Sequence, residues 1–123
     1  MQQRALITVV DDDVSSRESL PDLLRMLGFS AAPFASAEDF LASDALADAR
    51  CLIVDVSMPG MSGPQLQCEL IRRELTIPII FITAHCDLDL RADLLARGAV
   101  ECLFKPFSAD DLRSALDCAV GNL

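Results

Sequence analysis

Four apolar runs in this chain each end abruptly at a polar residue, and this feature limits the folds available to the chain. The first run ends at Asp11, the second at Asp55, the third at Thr83 and the fourth at Lys105, the only lysine in the sequence. Short apolar runs rich in β-branched residues are typical of strands buried in a parallel sheet. Ligands of open α/β sheets bind outside the carboxyl ends of the strands. We therefore expect carboxylates, a hydroxyl and one ammonium to converge at one edge of one sheet.

Strands and helices alternate along the whole sequence. Strands are predicted at residues 6–10, 30–34, 51–55, 79–82 and 102–104. Helices are predicted at residues 14–27, 36–41, 64–74 and 87–97 and after Ser108. Parallel strands need right-handed crossovers, so helices should cover both faces of the sheet. The pattern predicts a flavodoxin-like, doubly wound (βα)5 fold with strand order 2-1-3-4-5, whose switch point lies between strands one and three.

Length, charge and cysteine content limit the function classes. The 123 residues are 52% hydrophobic, which predicts a single domain spanning residues 1–123. The apolar runs are too short for a signal peptide or a membrane span, so we expect a cytoplasmic protein. A net charge of −9 argues against direct binding to nucleic acid or to an anionic membrane. The five cysteines contain no C-x-x-C pair, and with one histidine they predict neither a zinc site nor a disulfide framework.

Aspartates at the ends of the first and third strands carry the strongest chemical signal. Asp11, Asp12 and Asp55 would repel one another, at about 4 kcal/mol per pair for charges about 4 Å apart in an effective dielectric of about 20. Such a cluster binds either a proton or a cation. Mg²⁺ prefers oxygen ligands of this kind and keeps several waters. The sequence therefore predicts a magnesium site, whereas Asp13 is interpreted as the N-cap of the first helix, with Ser15 as the alternative cap.

The remaining strand ends suit phosphoryl transfer. A carboxylate such as Asp55 can act as a nucleophile and form an acyl phosphate. Catalysis of this transfer depends on positioning and charge stabilisation, which Mg²⁺, Lys105 and the hydroxyl of Thr83 would supply. Arginine provides every other cation in the chain, so a lone lysine indicates a need for a compact ammonium. Pro106 raises the chance of a cis bond after Lys105, and His85 is interpreted as an exposed loop residue.

Four short motifs together resemble the receiver domain of bacterial two-component response regulators. The resemblance covers essentially the whole chain and is specific because the motifs keep their order at the strand ends. The loop at residues 58–63 and the turn at residues 98–100 are most similar to receivers of LuxR-type, FixJ-like transcriptional regulators. The four motifs are Val9-Val10-Asp11-Asp12, Asp55 with Met58-Pro59 and Gly63, Thr83-Ala84, and Lys105-Pro106-Phe107.

The resemblance implies a role for each residue at the strand ends. Asp55 would be the phosphoacceptor. Asp12 and Asp55 would bind Mg²⁺ directly, Asp11 would bind it through water, and the backbone carbonyl of Ser57 would complete the protein ligands. The phosphoryl donor would be a phosphohistidine of a sensor histidine kinase or a small acyl phosphate.

The implied switch residues include one departure from the family pattern. Thr83 and Lys105 would bind the phosphoryl group, and the side chains of Ser57 and His85 would tune its loss. Most receivers carry an aromatic residue three positions before the lysine, but this chain has Cys102 there. A small thiol cannot swing like a ring. We expect activation to proceed through Thr83 and the loop that follows it, without a ring flip.

The resemblance also implies partners. We expect a sensor histidine kinase, a LuxR-type DNA-binding output domain outside these 123 residues, and a phosphorylation-induced homodimer. The strongest competing hypothesis is a haloacid-dehalogenase-type phosphatase with Asp11 as nucleophile and Asp13 as acid, although Asp55 and the helical Asp110-Asp111 pair do not fit it. A flavin-binding flavodoxin and a phosphorylation-independent interaction module are two further hypotheses. Three aspartates would repel the flavin phosphate, and an intact acidic site argues against the interaction module.

Overall fold

A single parallel sheet forms the centre of the molecule. The computed structural model describes residues 4–85 and 87–121, so Cys86 lies outside the described residues. The strand order is β2-β1-β3-β4-β5, which confirms the predicted flavodoxin-like topology. The third and fourth strands include their terminal polar residues, Asp55 and Thr83, which were predicted at or just beyond the strand ends. The strands are β1 (Leu6–Val10), β2 (Ser30–Phe34), β3 (Cys51–Asp55), β4 (Ile79–Thr83) and β5 (Glu101–Phe104).

Helices lie on both faces of this sheet. On one face Leu20 and Leu24 pack with residues of the last helix, and on the other Phe40 and Leu66 pack against the sheet. Among the described residues, none of the helices combines the length and the apolar character that crossing a membrane requires. The helices are α1 (Val14–Met26), α2 (Ala37–Leu41), α3 (Ala45–Asp48), α4 (Gly63–Arg72), α5 (Leu88–Ala96) and α6 (Ala109–Val120).

Side-chain caps fix where most of these helices begin. Asp13 accepts a hydrogen bond from the backbone N–H of Ser15, so Asp13 is the N-cap of α1, as interpreted from the sequence. Ser62 and Ser108 each close a capping box at α4 and α6. Each such cap contributes about 1 kcal/mol to helix stability. The caps set helix starts directly after the loops that carry the strand-end residues.

Two local features differ from the sequence prediction. The short helix α3 was not predicted. Helix α4 ends at Arg72, two residues before the predicted end, because Glu74 has φ 60° and lies in the left-handed region. Helix α1 continues through Pro21 without a break, in agreement with the continuous helix predicted at residues 14–27. Neither difference touches the polar edge of the sheet.

Candidate functional site

Strand register brings the polar strand ends to one edge of the sheet. Val10 of β1 pairs with Val54 of β3, so Asp11 leaves β1 beside the end of β3, where Asp55 lies. On the other side Thr83 pairs with Phe104, and Lys105 follows directly. The backbone N–H of Lys105 donates to the carbonyl of Thr83 at 2.8 Å, which extends the ladder past the strand end.

The ammonium of Lys105 lies between two carboxylates. Its Nζ is 3.3 Å from Oδ2 of Asp11 and 4.0 Å from Oδ2 of Asp55. Asp11 is fully buried, whereas the Lys105 side chain is 26% exposed. The bond between Lys105 and Pro106 is cis. The predicted contact between the lone lysine and the acidic cluster is therefore present, with the shorter distance to Asp11.

Asp55 carries an electrostatically strained carboxylate. Burial and then the adjacent Asp11 carboxyl together raise the pKa of Asp55 to about 6, against the lowering effects of Lys105 and of the Ser57 backbone N–H. Ser57 donates that N–H to Oδ1 of Asp55 at 3.2 Å. The single ammonium therefore does not neutralise the cluster, and a further positive charge would be favourable there.

The three aspartates fit a divalent cation. One carboxylate oxygen from each of Asp11, Asp12 and Asp55 lies within 4.8 Å of the others, with Asp12 exposed and the other two buried. Hard oxygen donors at a partly open position are the ligands that Mg²⁺ prefers. The donor set and the raised pKa of Asp55 both fit the predicted magnesium site.

Thr83 ends β4, and His85 lies in the loop that follows it. The hydroxyl of Thr83 accepts the backbone N–H of His85 at 3.2 Å and donates to the His85 carbonyl at 3.4 Å. Thr83 itself is buried, while His85 is exposed, as interpreted from the sequence. The hydroxyl therefore holds the loop backbone at the same edge of the sheet as Lys105.

Gly63, which belongs to one of the four sequence motifs, shapes the loop after Asp55. A Cβ at Gly63 would lie 2.6 Å from the Asp55 carbonyl oxygen and 3.1 Å from the ring of Phe81. The Gly63 N–H also donates to the Val56 carbonyl at 3.1 Å, which closes the loop. Only glycine allows helix α4 to start this close to the end of β3.

Two further residues near the site gave no recognisable signal in the sequence. Arg17 of α1 donates from Nη1 to the Asp11 carbonyl at 3.1 Å. Glu38 of α2 accepts the backbone N–H of Met61 at 3.3 Å and so ties α2 to the loop after β3. The two residues of each contact are not spaced at a helical or strand period and do not form a motif. The sequence therefore could not reveal these hydrogen bonds.

Cys102 lies below the polar edge in β5. It is buried and pairs in register with Phe81 of β4. Its backbone N–H donates to Oε1 of Glu101 at 2.9 Å, and the same oxygen accepts from Arg91 at 2.6 Å. The position of the expected aromatic residue is thus occupied by a small side chain packed in the core.

Comparisons with known proteins agree with this geometry. Residues 7–117 match the family described as response regulator receiver domain. The chain is 41% identical over 116 residues to nodulation protein W of Bradyrhizobium diazoefficiens, covering 94% of this chain and 51% of that protein. It is 39% identical over 114 residues to the transcriptional regulatory protein TdiR of Thauera aromatica, covering 93% and 50%. The chain thus spans about half the length of these curated relatives.

Solved structures show the same fold. The response regulator StyR superposes with a TM-score of 0.87 at 41% identity, covering 95% of this chain and 59% of that chain. The crystal structure of FixJ-N superposes with a TM-score of 0.86 at 35% identity, covering 99% and 98%.

Proposed function

The chain belongs to the response regulator receiver domain family, and we propose on that basis that it is a phosphorylation-dependent signalling switch with Asp55 as phosphoacceptor. The observation that carries this proposal is the position of the Lys105 ammonium, 3.3 Å from Asp11 and 4.0 Å from Asp55. Residues 1–123 would form one receiver domain, working in the cytoplasm.

Each residue at the sheet edge has a distinct part in the transfer. An oxygen of the Asp55 carboxylate forms a bond to phosphorus, while the bond from phosphorus to the donor nitrogen or acyl oxygen breaks. Mg²⁺ would be bound directly by Asp12, Asp55 and the Ser57 carbonyl and through water by Asp11, and it would supply positive charge that offsets the phosphoryl oxygens. The donor is a sensor histidine kinase or a small acyl phosphate, and the domain catalyses its own phosphorylation and dephosphorylation.

The other strand ends would bind the phosphoryl group and report its presence. Lys105 contacts a phosphoryl oxygen in place of an aspartate, and Thr83 turns its hydroxyl from the His85 backbone to another oxygen. The loop after β4 then moves with Thr83. Ser57 and His85 flank this position and tune how fast water removes the phosphoryl group.

The signal would leave through the loop after β4 without an aromatic switch at Cys102. Addition of beryllofluoride and Mg²⁺ should change the NMR chemical shifts of α5 and β5. This proposal predicts that the changes in Cys102→Ala and Cys102→Phe are close to those of the wild type. A large loss of these shifts in either variant, with normal phosphorylation, would show that residue 102 transmits the signal.

The output is proposed to be transcriptional. TdiR is named a transcriptional regulatory protein, as is FixJ of Bradyrhizobium diazoefficiens, to which the chain is 36% identical over 122 residues. A LuxR-type DNA-binding domain outside these residues would bind DNA, and the acidic receiver would not. Phosphorylation would promote a homodimer, which light scattering with and without beryllofluoride tests.

One labelling experiment tests the central proposal. The protein is incubated with acetyl phosphate and Mg²⁺, and the modified residue is located by mass spectrometry. We expect one phosphoryl group on Asp55, its loss in Asp55→Asn, and normal labelling in the surface control Asp93→Asn. Labelling on Asp11 instead would support the phosphatase hypothesis, and an unmodified protein would contradict both.

A further inference from the structure

Asp12 is the least restrained of the three clustered aspartates. Its side chain is exposed, and within the described part of the chain its carboxylate takes part in no hydrogen bond or ion pair. The Asp11 carboxylate, by contrast, accepts the Asp13 N–H at 3.0 Å through Oδ1 and contacts Lys105 through Oδ2. The direction of the Asp12 side chain therefore depends on the backbone that carries it, and above all on the peptide group that joins Asp11 to Asp12.

A guanidinium from α1 holds this peptide group. Arg17 donates from Nη1 to the Asp11 carbonyl at 3.1 Å, directly after the end of β1. The backbone N–H of Arg17 donates to the Asp13 carbonyl at 3.1 Å, which is an i to i−4 hydrogen bond at the start of α1. Side chains of a helix lean toward its N-terminus, so Arg17 reaches back over the loop that carries the aspartates. The helix thus supplies a fixed base for the contact.

The contact of Arg17 is with backbone and not with a carboxylate. Arg17 is half-buried and, among the described residues, forms none of the ion pairs. Its charge and its hydrogen bond therefore act on the acidic cluster in opposite directions. The positive charge lowers the attraction of the cluster for a cation. The hydrogen bond keeps the peptide before Asp12 in one orientation and so reduces the cost of ordering Asp12 on binding.

We propose that Arg17 is a positioning residue for the magnesium site and that it acts through the Asp11 carbonyl. This inference rests on the proposed function, because Asp12 is relevant here as a ligand of Mg²⁺. If the peptide samples other orientations, the apparent Kd for Mg²⁺ rises by the inverse of the fraction that is competent to bind. Loss of one hydrogen bond of ordinary strength should weaken Mg²⁺ binding about fivefold.

A ¹H–¹⁵N NMR titration of the full chain with MgCl₂ at constant ionic strength measures this Kd. We expect Arg17→Gln to raise the Kd about fivefold, although loss of the positive charge alone would lower it. Arg25→Gln removes an equal charge from an exposed position of the same helix and should bind Mg²⁺ like the wild type. Equal or tighter binding in Arg17→Gln would overturn the inference and leave the magnesium site in place. A wild type that binds no Mg²⁺ would overturn the proposed function as well.

A conservative variant separates position from charge a second time. Arg17→Lys keeps a charged donor on a side chain that is one bond shorter, so it should recover part of the affinity that Arg17→Gln loses. An effect of charge alone predicts the reverse order, with Arg17→Lys binding more weakly than Arg17→Gln, and that order would overturn the inference. Without Mg²⁺, the ¹⁵N shift of Asp12, whose nitrogen belongs to the peptide group that Arg17 contacts, should move in Arg17→Gln and not in Arg25→Gln.

Labelling by acetyl phosphate separates a displaced ligand from damage to the fold. Excess metal restores a ligand that is only poorly placed. The Mg²⁺ concentration that gives half of the maximal labelling rate should therefore rise about fivefold in Arg17→Gln, while the maximal rate stays within about twofold of the wild type. A lower maximal rate with an unchanged half-saturating concentration would show that Arg17 acts in another way, and would overturn the inference.

Discussion

Asp55 illustrates how the fold places one carboxylate in an electrostatically unfavourable environment. It is the last residue of a buried strand, so its carboxylate loses water, and Asp11 adds repulsion that Lys105 only partly offsets. A cation, or a phosphoryl group with its own counter-ion, would reduce the electrostatic repulsion between the carboxylates. The repulsion within the free site would thus be the physical source of an affinity for Mg²⁺.

The stability of the metal-free protein should depend on pH through Asp55. Its pKa is about 6 in the folded state against 3.8 for the ordinary carboxyl, so the folded state binds more protons between these values. Stability therefore falls as pH rises through this window, and the penalty is nearly complete about one pH unit above the folded-state pKa. Asp55→Asn should raise the free energy of unfolding by about 1–2 kcal/mol at neutral pH, and less near pH 4.

Urea unfolding in the presence of a chelator measures this difference at each pH. The exposed variant Asp93→Asn is the control and should follow the wild type. A constant difference between Asp55→Asn and the wild type across the window would show that the Asp55 carboxylate is not electrostatically strained.

Gly63 makes a second residue-scale prediction. In Gly63→Ala the new methyl would meet the Asp55 carbonyl at 2.6 Å and the Val56 Cα at 3.0 Å, and backbone cannot move aside as a side chain can. We expect a loss of about 2–3 kcal/mol in the free energy of unfolding, typical of overpacking. Cys68→Ala, at an exposed position of the same helix, should change stability by less than about 0.5 kcal/mol. A stable Gly63→Ala protein would show that α4 can shift away from β3.

At the scale of elements, the ends of the strands could be predicted from the sequence more accurately than the conformation of the connections between them. Apolar runs that end at Asp55 or Thr83 are local signals, and the structure places both strand ends within a residue of the prediction. The short helix α3 and the left-handed Glu74 depend on how the chain closes against the sheet, which no local pattern encodes. The hydrogen bond from Met61 in the loop after β3 to Glu38 could not be predicted for the same reason.

That contact makes a prediction about the loop. Glu38→Ala removes the acceptor for the Met61 N–H and frees the loop between Asp55 and α4. Because an exposed hydrogen bond contributes modestly, we expect labelling of Asp55 by acetyl phosphate to slow about threefold. Glu38→Gln keeps an acceptor oxygen and should label at nearly the wild-type rate, as should Asp39→Ala on the same helix. Equal rates for Glu38→Ala and Asp39→Ala would mean that the contact does not order the loop.

At the scale of the whole molecule, two cores on opposite faces of one sheet hold a strongly acidic chain together. The apolar clusters around Phe40 and around Leu24 are separate, and only the sheet belongs to both. The net charge of −9 opposes compaction everywhere, but the acidic site concentrates repulsion at a single edge. Screening of the net charge by salt and specific binding of a cation at the acidic site should therefore raise the free energy of unfolding by different amounts.

Magnesium should stabilise the protein beyond the effect of ionic strength. A ligand that binds only the folded state at about tenfold above its Kd adds about 1.4 kcal/mol to the free energy of unfolding. We expect this gain for MgCl₂ over NaCl of equal ionic strength, because NaCl screens the net charge without occupying the site. In Asp12→Asn, which removes an exposed ligand without disturbing the core, most of the magnesium-specific gain should disappear, whereas Asp93→Asn should keep it. Thermal unfolding followed by circular dichroism measures all of these states, and equal stabilisation by the two salts in the wild type would rule out a magnesium site at this edge of the sheet.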